Sequence, residues 1–192
     1  MTLVRSLPMR LTISKALLLS GLSFAMNVVA SNAYAAETQA CQQENVAAST
    51  PSERFIQEKN GTVIDKVTGL MWQQCTVGLD GENCESGEAS KFTWAEALLY
   101  PSQEKSLATF AGHDDWRMPN IRELASIVES QCVRPSVNAT IFPNTPSGHV
   151  WSSSPYDFYP HYSWFLNFSD GIHTYSERID KKVIRLVRDT KS

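Results

Sequence analysis

Apolar and polar positions follow two rhythms along the chain, and the rhythm changes twice. From Arg54 the runs are short. "RFIQEKNGTVID" places two stretches of β-type residues either side of Asn60-Gly61, a pair that tolerates positive φ and closes a tight hairpin. "KVTGLMWQQC" repeats the device, with a turn at Thr68-Gly69 and a strand through Leu70, Met71 and Trp72. The period then lengthens to that of a helix. "FTWAEALLYP" offers Thr93 as N-cap and Glu96 three residues on, the two halves of a capping box, with Pro101 as the stop. "PNIRELASIVES" offers Asn120 and Glu123 in the same roles, and Ile121, Leu124, Ala125 and Val128 at the spacing of one buried helical face. Strands return with "HVWSSS", with a hairpin in "YSWFLNFSDGIHTYSER" closed at Asp170-Gly171, and with a last strand in "KKVIRLVRD". Trp164, Leu166 and Phe168 alternate, which predicts that Trp164 turns to the core with the other two. Strands, two helices, then strands predict an α+β domain, two helices packed on antiparallel sheet, with the N- and C-terminal strands close together.

The first 35 residues do not share this patterning. Arg5, Arg10 and Lys15 precede "ALLLSGLSFAMNVVA", and Ala33 and Ala35 satisfy a small-residue cleavage rule, so residues 1–35 read as a secretory signal peptide. The apolar run is short and polar sequence follows at once, which argues against a membrane span. Residues 36–53 are polar and rich in Ala and Ser, an arm before the domain at 54–190. Cleavage removes three of 17 basic residues and none of 20 acids, leaving a net charge of −6. Such acidity disfavours nucleic acid and other polyanions. No later segment is long and apolar enough to span a bilayer, so the expected location is the periplasm or the outside of the cell.

Cys41, Cys75, Cys84 and Cys132 all follow the signal, and an even count in an oxidising compartment reads as two disulfides with three possible connectivities. Cys75 and Cys84 bracket a Gly- and Asp-rich turn, which favours a local bridge there and leaves Cys41 to reach Cys132. No C-x-x-C spacing supports zinc.

Few residues carry a recognisable chemistry. In "HDDWR", Asp114 and Asp115 beside His113 offer paired carboxylates, but sequence neighbours in an extended segment point to different sides. The structural reading is a clamp: Trp116 fills the core, Asp115 accepts hydrogen bonds and Arg117 pairs with a carboxylate. His113, His149, His161 and His173 lack metal-ligand spacing. Ser152, Ser153 and Ser154 lack the strained nucleophile turn of a serine hydrolase. Asp80, Glu82, Asn83 and Glu85 crowd one loop without a calcium-binding pattern. These absences predict no catalytic residues, no metal and no cofactor. The richest patch is aromatic. Tyr156, Phe158, Tyr159 and Tyr162, with His161, lie between Trp151 and Trp164, and loops of this composition present contact area at low entropic cost. Prolines interrupt the loop, so at least two of its four rings are expected to face solvent. Arg178, Lys181 and Lys182 form a candidate secondary patch.

"GTVIDKVTGLMWQQC", "FTWAEAL", "FAGHDDWRMPNIRELASIVE", "IFPNTPSGHVWSSSPY", "WFLNFSDG" and "VIRLVRD", in this order, resemble the Lcl C-terminal domain family over roughly Arg54 to Arg188. The resemblance implies a C-type-lectin-like fold and an exported module that binds a glycan or protein at the envelope or outside the cell. It also likens "DWRMPN…EL" to a helix start shared with formylglycine-generating-enzyme-like proteins, where the segment is architectural. The chain departs from the pattern in lacking a collagen-like region and the sugar-binding triplets of animal lectins. The alternatives are an oxidoreductase of the formylglycine-generating type and a structural, pilus-associated interaction protein.

Overall fold

The structure is a computed structural model that describes residues 38–42, 44–104 and 110–191. The signal segment, with Ala33 and Ala35, lies outside the described residues. The chain parts into two units, Met1–Ala35 and Ala36–Ser192, and the fold below is that of the second.

Strand β1 (Ala40–Cys41) is followed by a meander of β2 (Phe55–Gln57), β3 (Thr62–Asp65) and β4 (Leu70–Gln73). Both expected hairpins form. Gly61 supplies the positive φ of the first at 80° and Gly69 that of the second at 71°. A small ladder, β5 (Leu79–Asp80) with β6 (Ser86–Gly87), precedes α1 (Trp94–Gln103) and α2 (Ile121–Ala125). Then come β7 (Cys132–Val133), β8 (His149–Pro155), β9 (Tyr162–Asn167), β10 (Ile172–Glu177) and β11 (Val187–Asp189). The larger sheets run β11-β4-β3-β2 and β10-β9-β8, and every strand pair among the described residues is antiparallel. Mostly β with two helices, the domain is of the α+β class.

Both capping boxes are present. Thr93 accepts from the Glu96 amide while Glu96 accepts from the Thr93 amide at 2.8 Å, and Asn120 and Glu123 repeat the exchange. The helix ends differ from expectation. Helix α1 runs through Pro101 to Gln103, because a proline in the last turn removes only one donor and Glu104 N still closes the turn on Tyr100 O at 2.9 Å. Helix α2 stops after one turn. Val128 leaves it to form a β-bridge with Val137, drawn off by Glu129, whose buried carboxylate accepts from the amides of Ser49, Thr50 and Gln131.

Those bonds also fix the polar arm, which is more than a tether held by one cysteine. Thr50 is buried, and β1 pairs with β7 alongside the Cys41–Cys132 disulfide. The second disulfide, Cys75–Cys84, ties the ends of the loop carrying β5 and β6. Both are the pairs that spacing favoured.

Two apolar clusters fill the interior. The first joins Trp72 and Val63 to Leu124, Val150, Leu166 and Phe168; the second joins Met71 and Trp116 to Trp151, Phe165 and Leu186. Each large sheet sends alternate residues to both. The segment 182–188 threads between them and is buried at every position, with Val183 and Val187 in the first cluster and Ile184 and Leu186 in the second. Only its end is regular strand: Lys182 bridges Phe92 and Val183 bridges Val150, so the expected long last strand is shorter than "KKVIRLVRD". Its strand takes the free edge of β4, so β2 and β11 share a sheet but sit on opposite edges and do not pair.

Candidate functional site

The clamp is internal. Trp116 is 5% exposed and its indole N–H donates to Phe110 O at 3.2 Å. Asp115 accepts from Arg188 Nε at 2.6 Å, and Arg117 grips Glu123 with two bonds of 2.8 and 2.9 Å and Asp189 at 3.1 Å. The segment thereby ties the start of α2 to β11. Asp114 points to solvent and takes no part in these bonds. Ser152 to Ser154 serve the same junction: Ser154 Oγ accepts from Ile121 N, Ser153 N donates to Pro119 O, and Ser152 Oγ donates to Trp164 O.

The aromatic loop forms a surface instead. Backbone bonds from Tyr156 N to Tyr162 O at 3.1 Å and from Tyr162 N to Tyr159 O at 3.0 Å fold it back on itself at the end of the β8–β9 hairpin. Of the four rings, Phe158 is 80% exposed and Tyr159 56%, while Tyr156 and Tyr162 are half-buried among their neighbours. At least two therefore face solvent, as expected.

Trp164 departs from expectation. It is only half-buried and lies 5.3 Å from Tyr156 and 6.0 Å from Tyr175, ring centre to ring centre, outside the core. Simple alternation places Trp164 on the face of Leu166, but α2 packs over that face with a single turn, and at Trp164 the buried neighbours are Ser163 and Phe165. Trp151, by contrast, is fully buried.

Sequence reasoning missed Tyr175 and gave His173 no place beside the rings. The hairpin register sets Tyr175 opposite Trp164 and His173 opposite Leu166, and Tyr175 stacks on Tyr156 at 4.0 Å with a 20° tilt. Counting outward from the Asp170-Gly171 turn, where Gly171 has φ 78°, was the available signal. Six rings thus form one continuous platform: Tyr156, Phe158, Tyr159, Tyr162, Trp164 and Tyr175. His161 is exposed beside it, and Glu177 lies at its edge, 3.3 Å from the Tyr162 hydroxyl.

The three cations do not form a patch. Lys182 is 6% exposed; its ammonium lies 4.5 Å from the ring centres of both Trp151 and Phe165 and donates to Ser176 Oγ at 3.0 Å. Burial pulls its pKa down, and Asp180 at 3.6 Å offsets only part of that. Arg178 is half-buried, lies 4.1 Å over the Trp94 ring and donates to Ser163 Oγ at 2.9 Å. Only Lys181 of the three is exposed. Lys182 thus packs on rings of β8 and β9, and Arg178 on a ring of α1.

Asp80, Glu82, Asn83 and Glu85 serve their own turn: Asp80 accepts from Gly81 N at 2.8 Å and Glu85 from Asn83 N at 2.8 Å. No group of three or more His, Cys, Asp or Glu residues with metal-ligating geometry occurs among the described residues. No described helix is long and apolar enough to cross a membrane.

A comparison with curated proteins finds no match. The profile of the Lcl C-terminal domain matches residues 61–188, from the first hairpin turn through the clamp and the ring platform to Arg188. The chain belongs to the Lcl C-terminal domain family.

Proposed function

We propose that the protein is an exported binding module that holds a glycan or protein ligand against the ring platform of Tyr156, Phe158, Tyr159, Tyr162, Trp164 and Tyr175, on a C-type-lectin-like scaffold. One observation carries this reading: Phe158 and Tyr159 stand exposed on a bed of rings already packed against one another. A contiguous apolar surface on a folded domain marks an interaction site, and rings held by their neighbours lose little freedom on binding. Sugar rings and planar side chains both stack on such faces. The carboxylates of Asp157 and Glu177 beside the rings disfavour a polyanionic ligand.

The reading is non-enzymatic. All four cysteines are in disulfides, so the chain supplies no free thiol for formylglycine-type chemistry. Two disulfides also suit an oxidising compartment, which supports export. The test is a glycan array and an envelope-fraction binding assay with the purified protein, repeated with Phe158→Ala/Tyr159→Ala. Binding that survives the double substitution unchanged removes the platform as the site.

A further inference from the structure

A cleft of about 820 Å³ lies away from the rings, between the turn of the β2–β3 hairpin, the end of β4 and the loop closed by Cys75–Cys84. Its volume falls in the range that small-molecule sites occupy, roughly 300–1,000 Å³. Two features of its floor need explanation.

The first is Gln73. It is 7% exposed and lines the cleft, yet its side-chain amide makes no hydrogen bond among the described residues. Gln74, half-buried beside it, is in the same position. The buried unpaired polar atoms among the described residues are Trp72 Nε1 and Arg185 Nε, so both glutamine amides open onto the cleft rather than the core and are presented there to a ligand.

The second is Arg185, fully buried beneath them with no carboxylate partner among the described residues. Its guanidinium donates to the carbonyls of Gln73, at 3.0 Å, and of Gln74, and to the hydroxyls of Thr76 and Thr145 at 3.2 and 2.7 Å. Burial alone pulls its pKa down to about 9. An uncompensated buried charge is costly, and here its bonds hold the backbone of the cleft floor in place. The amides of the same two residues are also satisfied internally, Gln73 N by Leu186 O at 3.0 Å and Gln74 N by Gly61 O at 2.9 Å. A ligand therefore meets side-chain amides on a fixed base.

We propose that this cleft is a second binding site, independent of the ring platform, for a neutral saccharide. Gln73 and Gln74 present paired donors and acceptors that match sugar hydroxyl and acetamido groups. Tyr100 and Phe110 supply the apolar wall against which a sugar ring packs. Among the residues lining the cleft, the carboxylates Glu58, Asp80 and Glu82 outnumber the one cation Lys59, which disfavours sulfated or carboxylated sugars.

Side-chain and backbone amide resonances of the isotope-labelled protein, titrated with chitotriose, cellotriose and a sulfated heparin fragment, test this. A neutral trimer should shift the Gln73 and Gln74 side-chain amides and the Gly61 backbone amide. Gln73→Leu should weaken that binding about 3- to 10-fold, the loss of one hydrogen bond. Gln74→Ala, at a less buried position, gives the same readout should Gln73→Leu unsettle the fold. Phe158→Ala/Tyr159→Ala should leave the cleft shifts intact. Neutral trimers that shift only platform residues overturn the cleft while supporting the platform; no shift at the cleft from either trimer, or a larger one from the sulfated fragment, also overturns it.

Discussion

On the four-stranded sheet β11-β4-β3-β2 the charges are inside, and on the three-stranded sheet β10-β9-β8 the rings are outside. Asp65, in β3, is buried and bonded to Arg54 through two contacts of 2.7 and 2.5 Å, and Arg188, in β11, is buried and bonded to Asp115. Strand β10 has five of six positions exposed, and Tyr175 and Ile172 face solvent at 41% and 62%. The strands are similar in kind; what differs is what covers them. Both faces of the first sheet, and of β8 and β9 in the second, carry an apolar cluster, but β10 has no residue in either and α2 is a single turn. Where a layer covers a sheet, polar groups must find partners. Where the cover ends, rings pack on one another and leave a surface.

The largest effect should come from the enclosed side. Trp116→Ala removes a ring that is 5% exposed and should cost about 3–5 kcal/mol, read by chemical denaturation. A variant that melts like the parent would place Trp116 among the surface rings and break the contrast. Asp65→Asn should cost about 3 kcal/mol or more, because Arg54 keeps its charge and loses its partner.

Acid sharpens the comparison further. Burial pushes the Asp65 carboxyl up, but hydrogen bonds from Arg54, Thr68 and the Val67 amide outweigh it, and its pKa lies below the ordinary 3.8. Glu129 behaves alike: burial raises it, and bonds from Ser49, Thr50 and Gln131 bring it below the ordinary 4.5. Groups depressed on folding stabilise fully above their unfolded values and lose that contribution as pH falls toward the folded ones. Thermal stability should therefore hold from neutrality to about pH 5 and decline below it, less steeply in Glu129→Gln. A Glu129→Gln profile that overlays the parent's would remove that carboxylate from the account.

The smallest stability effect and the largest binding effect belong to the exposed side. Phe158→Ala/Tyr159→Ala should leave stability within about 0.5 kcal/mol and weaken ligand binding about 5- to 100-fold. Tyr156→Ala should differ, since Tyr156 touches four other rings and its loss loosens the platform itself. Equal stability losses from the two variants would mean the outer rings are structural.

Features carried by nearby residues were legible in the sequence: both β2–β4 hairpin turns, both capping boxes and the Cys75–Cys84 bridge, which left Cys41 to pair with Cys132 across the fold. What failed depended on contacts across the fold. Nothing near Lys182 says that Trp151 and Phe165 enclose its ammonium, and nothing near Trp164 says that α2 stops short of covering it. The short α2 was itself unreadable, since its apolar spacing continues to Val128 and only Glu129, bonded back to Ser49 and Thr50, takes the chain away. The amides of Gln73 and Gln74 look like ordinary strand-end residues until Arg185 is placed beneath them.

The threaded segment 182–188 has a vectorial consequence. It supplies residues to both apolar clusters and the last strand of one sheet, so the second cluster is complete only once Leu186 has been synthesised and the first only once Val187 has. A nascent chain without this stretch lacks the residues that close both clusters, and a domain folds as a unit. On the proposed export route, such a delay would leave the polypeptide open to threading through a membrane. On that proposed route, closure on the far side would let Cys41 and Cys132 be oxidised.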